Sequence, residues 1–223
     1  MKKLLLTKIL PSEHINKYSS SIEIEQIKVI SIDYIHFDFS KINYDLPFVF
    51  TSSNSVKSLL KNNFKFNRIK KAYLFGIKTE ELLSKYNIKT VKSKIENANS
   101  VADIIIDDKV NEINFVCGNI RRDELINKLN KNDIKINEFV NYNTKLEYPI
   151  VDSDKYNAIA FFSPSGVESY FKNNCYNPKI DYFAIGNTTK FELLFYGIQK
   201  VICPPKPNSN SLLECIYDHY IDE

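Results

Sequence analysis

The chain has 223 residues, 43% of them apolar, and its 30 basic and 27 acidic side chains leave a net charge of +3 spread along its length with no basic tail or block. That excludes the electrostatic footprint of a nucleic-acid binder. No apolar run approaches the roughly 18 residues of a membrane span, and MKKLLLTKIL lacks the long apolar core and small-residue cleavage site of a signal peptide, so a cytoplasmic protein with no membrane partner is expected.

In chain order, residues 3–7 (KLLLT) have a buried-strand pattern, and Pro11, Ser12 and Glu13 read as a helix entry. Residues 24–39 hold β-branched residues bounded by polar ones and are a candidate linker, after which Pro47 leads into FVFTSSNSVKSLL (48–60), an apolar strand, a polar turn and a helical face. Strand 72–75, helix 78–86 and strand 88–91 follow, and Asn99, Ser100 and Val101 open another helix. Strand 113–116 stops at Cys117-Gly118-Asn119, and RRDELINKLN continues as an amphipathic helix with Leu125, Ile126 and Leu129 inward. Strand 134–142 gives way to a polar stretch, 143–155, a second candidate linker. Then come IAFFSPSGVESYF (159–171), strand 183–185, helix 188–195, strand 199–202, a Pro-rich loop and a last helix from Ser211.

One half of the chain is a rough copy of the other. Phe50 corresponds to Phe161, Ser52 to Ser163 and Val56 to Val167, an offset of 111 (161 − 50), and Gly76 corresponds to Gly186 at an offset of 110 (186 − 76). Doubling at this length implies two domains and a cleft. Alternating strands and helices imply parallel sheets covered on both faces, with ligands outside the carboxyl ends of the strands.

Six strand-to-helix turns share one chemistry: Thr7-Lys8, Thr51-Ser52-Ser53-Asn54, Gly76 to Thr79, Cys117-Gly118-Asn119, Ser163-Pro164-Ser165-Gly166 and Gly186 to Thr189 with Thr188 inside it. Short polar residues at a helix start aim backbone N–H groups outward, and the helix dipole favours an anion there by roughly 0.3–1 kcal/mol. Ordinary capping, worth about 1 kcal/mol per helix, explains any single one of these turns. Recurrence of SxxxV and GxxT at equivalent positions points further, although descent from one ancestral copy also preserves them.

Other chemistries find no residues. No GxGxxG follows a strand, and GxxxxGK[ST] and GxSxG are absent. His14, His36 and His219 lie outside these turns and outside ligand spacing, so no metal is expected. Cys117, Cys175, Cys203 and Cys215 form no CxxC pair and read as reduced thiols.

FTSSNSV, GIKTEEL, CGNIRRDEL, FFSPSGVESYF and AIGNTTKFELL, in this order and spacing, resemble uroporphyrinogen-III synthase over essentially the whole chain. The resemblance implies an α/β fold of two parallel-sheet, flavodoxin-like domains joined by a two-stranded linker, one domain discontinuous. Its boundaries here would be 1–33 with 146–223, and 35–144, with linkers at 33–36 and 142–147. It implies cyclisation of the linear tetrapyrrole hydroxymethylbilane to uroporphyrinogen III, with loss of water and inversion of the last ring, by a monomer using no metal or cofactor.

The substrate bears eight carboxylates, which suits a rim of helix starts. The candidate binding residues are Thr51, Ser52, Ser53, Asn54, Gly76, Gly118, Asn119, Ile120, Arg121, Ser163, Ser165, Gly166, Val167, Gly186, Thr188 and Thr189. By resemblance the best proton-donor candidate is Tyr142 in VNYNT, with Thr79 in GIKT, in a turn that would face the same cleft, as the second catalytic candidate; packing of the hinge is the plainer role for Tyr142, and a solvated helix face for Arg121 and Arg122. Lys8 stands where the family carries arginine after the first strand, keeping the charge without the planar fork, and Ser31 stands where the family often has proline. The runner-up is a non-catalytic two-domain module that closes on a small anion.

Overall fold

The computed structural model describes residues 1–36, 38–93, 98–121 and 123–221. In chain order the elements are β1 (Lys2–Leu6), α1 (Ser12–Ile15), β2 (Ile22–Gln26), β3 (Ile30–Tyr34), β4 (Phe48–Phe50), α2 (Ser53–Lys61), β5 (Lys71–Leu74), α3 (Ile77–Leu83), β6 (Lys89–Lys92), α4 (Ala98–Asp107), β7 (Glu112–Gly118), α5 (Glu124–Asn130), β8 (Lys135–Leu146), β9 (Ala158–Phe161), α6 (Pro164–Phe171), β10 (Asp181–Ala184), α7 (Asn187–Phe195), β11 (Val201–Ile202) and α8 (Ser209–Ile221). They fall into two compact units, one made of Met1–Ser31 with Lys145–Glu223 and the other of Ile32–Thr144.

The discontinuous unit holds a five-stranded sheet in the order β11-β10-β9-β1-β2, parallel at every pairing. All four residues of β9 are buried, because a central parallel strand is covered on both faces. Ala158 and Ala160 join Leu4, Leu6 and the α8 residues Leu212, Leu213 and Ile216. Ile159 and Phe161 point the other way, to Val167 and Tyr170 of α6 and Leu193 of α7. The period-two alternation of side chains along a strand thus feeds two separate cores from one short apolar run.

The continuous unit holds a six-stranded sheet in the order β3-β8-β7-β4-β5-β6, in which β6-β5-β4-β7-β8 pair in parallel. Here Phe48 and Phe50 pack on Val56 and Leu59 of α2 and Leu83 of α3. Val49 faces Val101, Ala102 and Ile105 of α4 with Leu125 and Leu129 of α5.

The two sheets hold equivalent strands in the same spatial order. Setting β4 beside β9 aligns β5 with β10, β6 with β11, β7 with β1 and β8 with β2. Counted along the chain, the discontinuous unit has the flavodoxin order 2-1-3-4-5, and the continuous unit is its circular permutant with β3 added at the edge.

The structure sharpens the sequence reading at two stretches. Within residues 24–39, where the boundary between the units falls after Ser31, the chain is largely strand, the end of β2 and all of β3; β2 shows the alternating burial of an edge strand, which masks its strand character in the sequence. β8 continues to Leu146, into the polar stretch, because Thr144 is tied by its backbone to the side chain of Asn119. Among the described residues no helix is long and apolar enough to cross a membrane.

Candidate functional site

Parallel pairing brings the carboxyl ends of neighbouring strands, and the turns after them, to one edge of each sheet. In the continuous unit the order reverses between β4 and β7, where an open α/β sheet leaves its crevice. Turns 51–54 and 118–121 flank that point, and turn 76–79 follows β5 on the far side of β4.

Ser52 is the N-cap of α2: its extended backbone turns its hydroxyl oxygen back to accept the Asn54 N–H at 3.1 Å. Thr51, Ser53 and Asn54 are half-buried around it. Behind the cap, Ser55 Oγ donates to the Val116 carbonyl at 2.9 Å, Ser58 Oγ donates to the Asn141 carbonyl, and Asn141 Nδ2 donates to the Ser55 carbonyl at 2.9 Å. These three buried side chains latch α2 to β7 and β8. They escaped the sequence reading, although Ser52, Ser55 and Ser58 recur every third residue, the spacing of one helix face.

Tyr142, on β8, is only 6% exposed. A β-bulge between Cys117 and Gly118 skips Asn141, so that Val140 pairs with Cys117 and Tyr142 with Gly118. Burial holds the Tyr142 phenol above the ordinary tyrosine range, and the nearby Ser52 side chain acts in the opposite direction. Tyr142, Gly118 and Ser52, remote from one another in the sequence, therefore meet at the switch point. The neighbouring Cys117 thiol is pushed up to about 12, mainly by burial, and is no nucleophile there.

Other candidates are engaged elsewhere. Asn119 spends its side-chain amide on Thr144, accepting its N–H at 2.7 Å and donating to its carbonyl at 3.3 Å, while its own N–H donates to the Tyr142 carbonyl at 3.2 Å. Ile120 is exposed. The Arg121 guanidinium grips Glu138 with two bonds of 3.1 and 2.7 Å and donates to Asp123 at 2.6 Å, and the Glu138 pairing raises its pKa. Arg122 lies outside the described residues. Thr79 is a buried residue in the first turn of α3, its N–H donating to the Gly76 carbonyl at 3.1 Å. Gly76 has a φ of +90°, a left-handed backbone that favours glycine.

At the corresponding edge of the discontinuous unit the reversal falls between β9 and β1. Ser163 caps α6 by accepting the Gly166 N–H at 3.1 Å, and Ser165 Oγ lies 3.2 Å from Ser163 Oγ. Pro164 opens the helix without an N–H, and the Val167 N–H is spent on the Ser163 carbonyl at 3.2 Å. Thr7 donates its hydroxyl to the Ala160 carbonyl at 2.9 Å, and the Lys8 ammonium sits 5.5 Å from the centre of the Phe162 ring. Gly186, extended at φ −179°, leaves room for Pro207, which a Cβ there would meet at 3.2 Å. Thr188 is exposed and Thr189 is buried.

These features define a duplicated parallel α/β protein whose capped helix starts gather at two switch points, with a buried phenol beside one of them. A family model described as HEM4, Uroporphyrinogen-III synthase HemD, matches residues 22–214. The uroporphyrinogen-III synthase of Saccharomyces cerevisiae is 26% identical over 258 aligned positions, covering 96% of this chain and 94% of that protein. The fold is shared with the crystal structure of uroporphyrinogen-III synthetase from Helicobacter pylori 26695 (TM-score 0.68, 16% identity, 98% of this chain and 100% of that one). It is also shared with a mutant uroporphyrinogen III synthase from the extremely thermophilic bacterium Thermus thermophilus (TM-score 0.68, 10% identity, 100% of both chains). The chain belongs to the uroporphyrinogen-III synthase family, cofactor-independent lyases of haem biosynthesis.

Proposed function

We propose that this chain closes hydroxymethylbilane to uroporphyrinogen III, with Tyr142 as the proton donor that assists loss of the terminal hydroxyl. The observation that carries the assignment of roles is the meeting of Tyr142, Gly118 and Ser52 at a switch point, in a chain whose family performs this reaction. Ser52 Oγ already accepts the Asn54 N–H, so its proton is available to the phenol oxygen and the phenol proton to the substrate. A phenol kept neutral by burial arrives protonated, and the Ser52 hydroxyl supports the phenolate left behind.

Departure of water leaves an azafulvene at the end of the linear chain. Attack on it through the substituted carbon of the last ring gives a spiro intermediate, whose opening and reclosure inverts that ring. The uninverted closure occurs without an enzyme, so holding the chain curled is most of the catalysis. The N–H groups that turns 51–54, 118–121, 163–167 and 186–189 leave uncommitted hold acetate and propionate groups, aided by helix dipoles at the starts of α2, α6 and α7, whereas those of Asn54, Asn119, Gly166, Val167 and Thr189 are already spent. Gly76 gives turn 76–79 its shape, and Thr79, buried, serves that turn's geometry. The protein acts as a cytoplasmic monomer with no nucleic-acid or membrane partner.

Incubation with hydroxymethylbilane, followed by oxidation and separation of the porphyrin isomers, tests the activity. Type III product above the spontaneous type I background is expected; type I alone would refute it. Substrate affinity that does not weaken with salt would count against carboxylate binding at these turns.

A further inference from the structure

Gly118 does not need to be glycine for its own backbone, because its φ lies outside the left-handed region that Gly76 and Gly197 occupy. What excludes a side chain is the Tyr142 ring. A Cβ built on Gly118 would fall 2.4 Å from Tyr142 Cζ, 2.5 Å from Cε2 and 2.9 Å from the phenol oxygen. The ring thus lies across the bare Cα of its bulge partner, in the volume where residue 118 would carry its side chain.

The residue the bulge skips, Asn141, is fully buried and is used on both sides: its amide reaches the Ser55 carbonyl and its own carbonyl receives the Ser58 hydroxyl. The bulge therefore sets the register of Tyr142 against Gly118 and, through the residue just before it, fixes β8 to the helix whose cap lies near the phenol.

We infer that Gly118 is the positioning residue for the Tyr142 phenol: the bulge and the missing side chain together form the seat that keeps the phenol at Ser52 and in line with the reacting end of the substrate. This rests on the proposed role of Tyr142. The atoms that a Cβ would strike are the far end of the ring, which can swing aside, so Gly118→Ala folds with the phenol moved rather than failing to fold.

The test joins two readouts. First, Gly118→Ala is assayed for type III formation: kcat falls on the order of 100-fold, the loss expected when a reacting group is misplaced by about 1 Å, with KM changed less than about threefold and type I product appearing. Second, melting temperatures are compared for Gly118→Ala, Tyr142→Ala and the double variant. The Gly118→Ala substitution lowers the melting temperature when the ring is present and leaves it unchanged in the Tyr142→Ala background, where the ring volume is vacant.

Gly118→Ala with wild-type kcat and isomer purity overturns the inference, as does an equal fall in melting temperature in both backgrounds. Full activity in Tyr142→Phe sinks the proton-donor role instead, and it does so whatever the melting cycle shows, so the two failures are distinguishable.

Discussion

The helices α2 and α6 begin alike and finish differently. Each is capped by a serine, Ser52 or Ser163, and each carries small residues at the next two three-residue steps, Ser55 and Ser58 against Gly166 and Ser169. In the continuous unit those steps make polar contacts: Ser55 and Ser58 both engage Asn141. In the discontinuous unit Gly166 meets Val29, whose Cγ2 would stand 3.1 Å from an added Cβ, and Ser169 Oγ accepts the Tyr148 N–H at 3.0 Å. The scaffold is duplicated, but the buried phenol at the cap belongs to one copy. On the proposed function, the proton comes from the continuous unit.

The largest expected effect falls on that asymmetry. Tyr142→Phe keeps the packing and removes the proton, so type III formation falls by about 10²–10⁴-fold, the usual worth of a general acid. Because burial raises the phenol's pKa, the donor stays protonated below the ordinary tyrosine value of 10.0 and is lost only as pH rises beyond it. A pH profile of kcat should show this alkaline fall in the wild type and lack it in Tyr142→Phe.

Paired cap removals sharpen the comparison at the next level. Ser52→Ala and Ser163→Ala each lose about 1 kcal/mol in denaturant unfolding. Only Ser52→Ala also lowers kcat, by about tenfold, the value of one hydrogen bond made to the phenolate as the proton leaves. Equal kcat losses in the two variants would contradict the asymmetry. Asn141→Ala strands the Ser55 carbonyl and costs about 1–3 kcal/mol, read as a lower denaturation midpoint. The smallest effect is expected for Arg121→Gln: its guanidinium is held by Glu138 and Asp123, so KM changes less than about twofold, whereas a tenfold rise would mean that it leaves them for substrate.

Much of the fold is legible in the sequence where local and tertiary demands agree. The runs ending at Phe50 and Phe161 are apolar because both faces of a central parallel strand are covered, and a serine cap follows each run closely. β2 is hidden because an edge strand alternates Ile with Glu and resembles a polar loop. The end of β8 is hidden because what extends it is the side chain of Asn119, from 25 positions away along the chain.

The candidate site divides in the same way. Ser52 and Ser163 are readable as caps, and Tyr142 enters through family resemblance. Neither route reveals that Tyr142 lies on Gly118, since a β-bulge leaves no local mark in VNYNT. The engagement of Arg121 with Glu138, 17 positions on, is likewise tertiary. Only the serine spacing of α2 was a missed signal in plain view.

One measurement reaches the central claim most directly: Tyr142→Phe mixed in excess over hydroxymethylbilane, quenched within one turnover and resolved into porphyrin isomers. If the phenol supplies the proton, the bound substrate persists and leaves mainly as the type I isomer. Type III product formed at the wild-type rate would show that the proton comes from elsewhere.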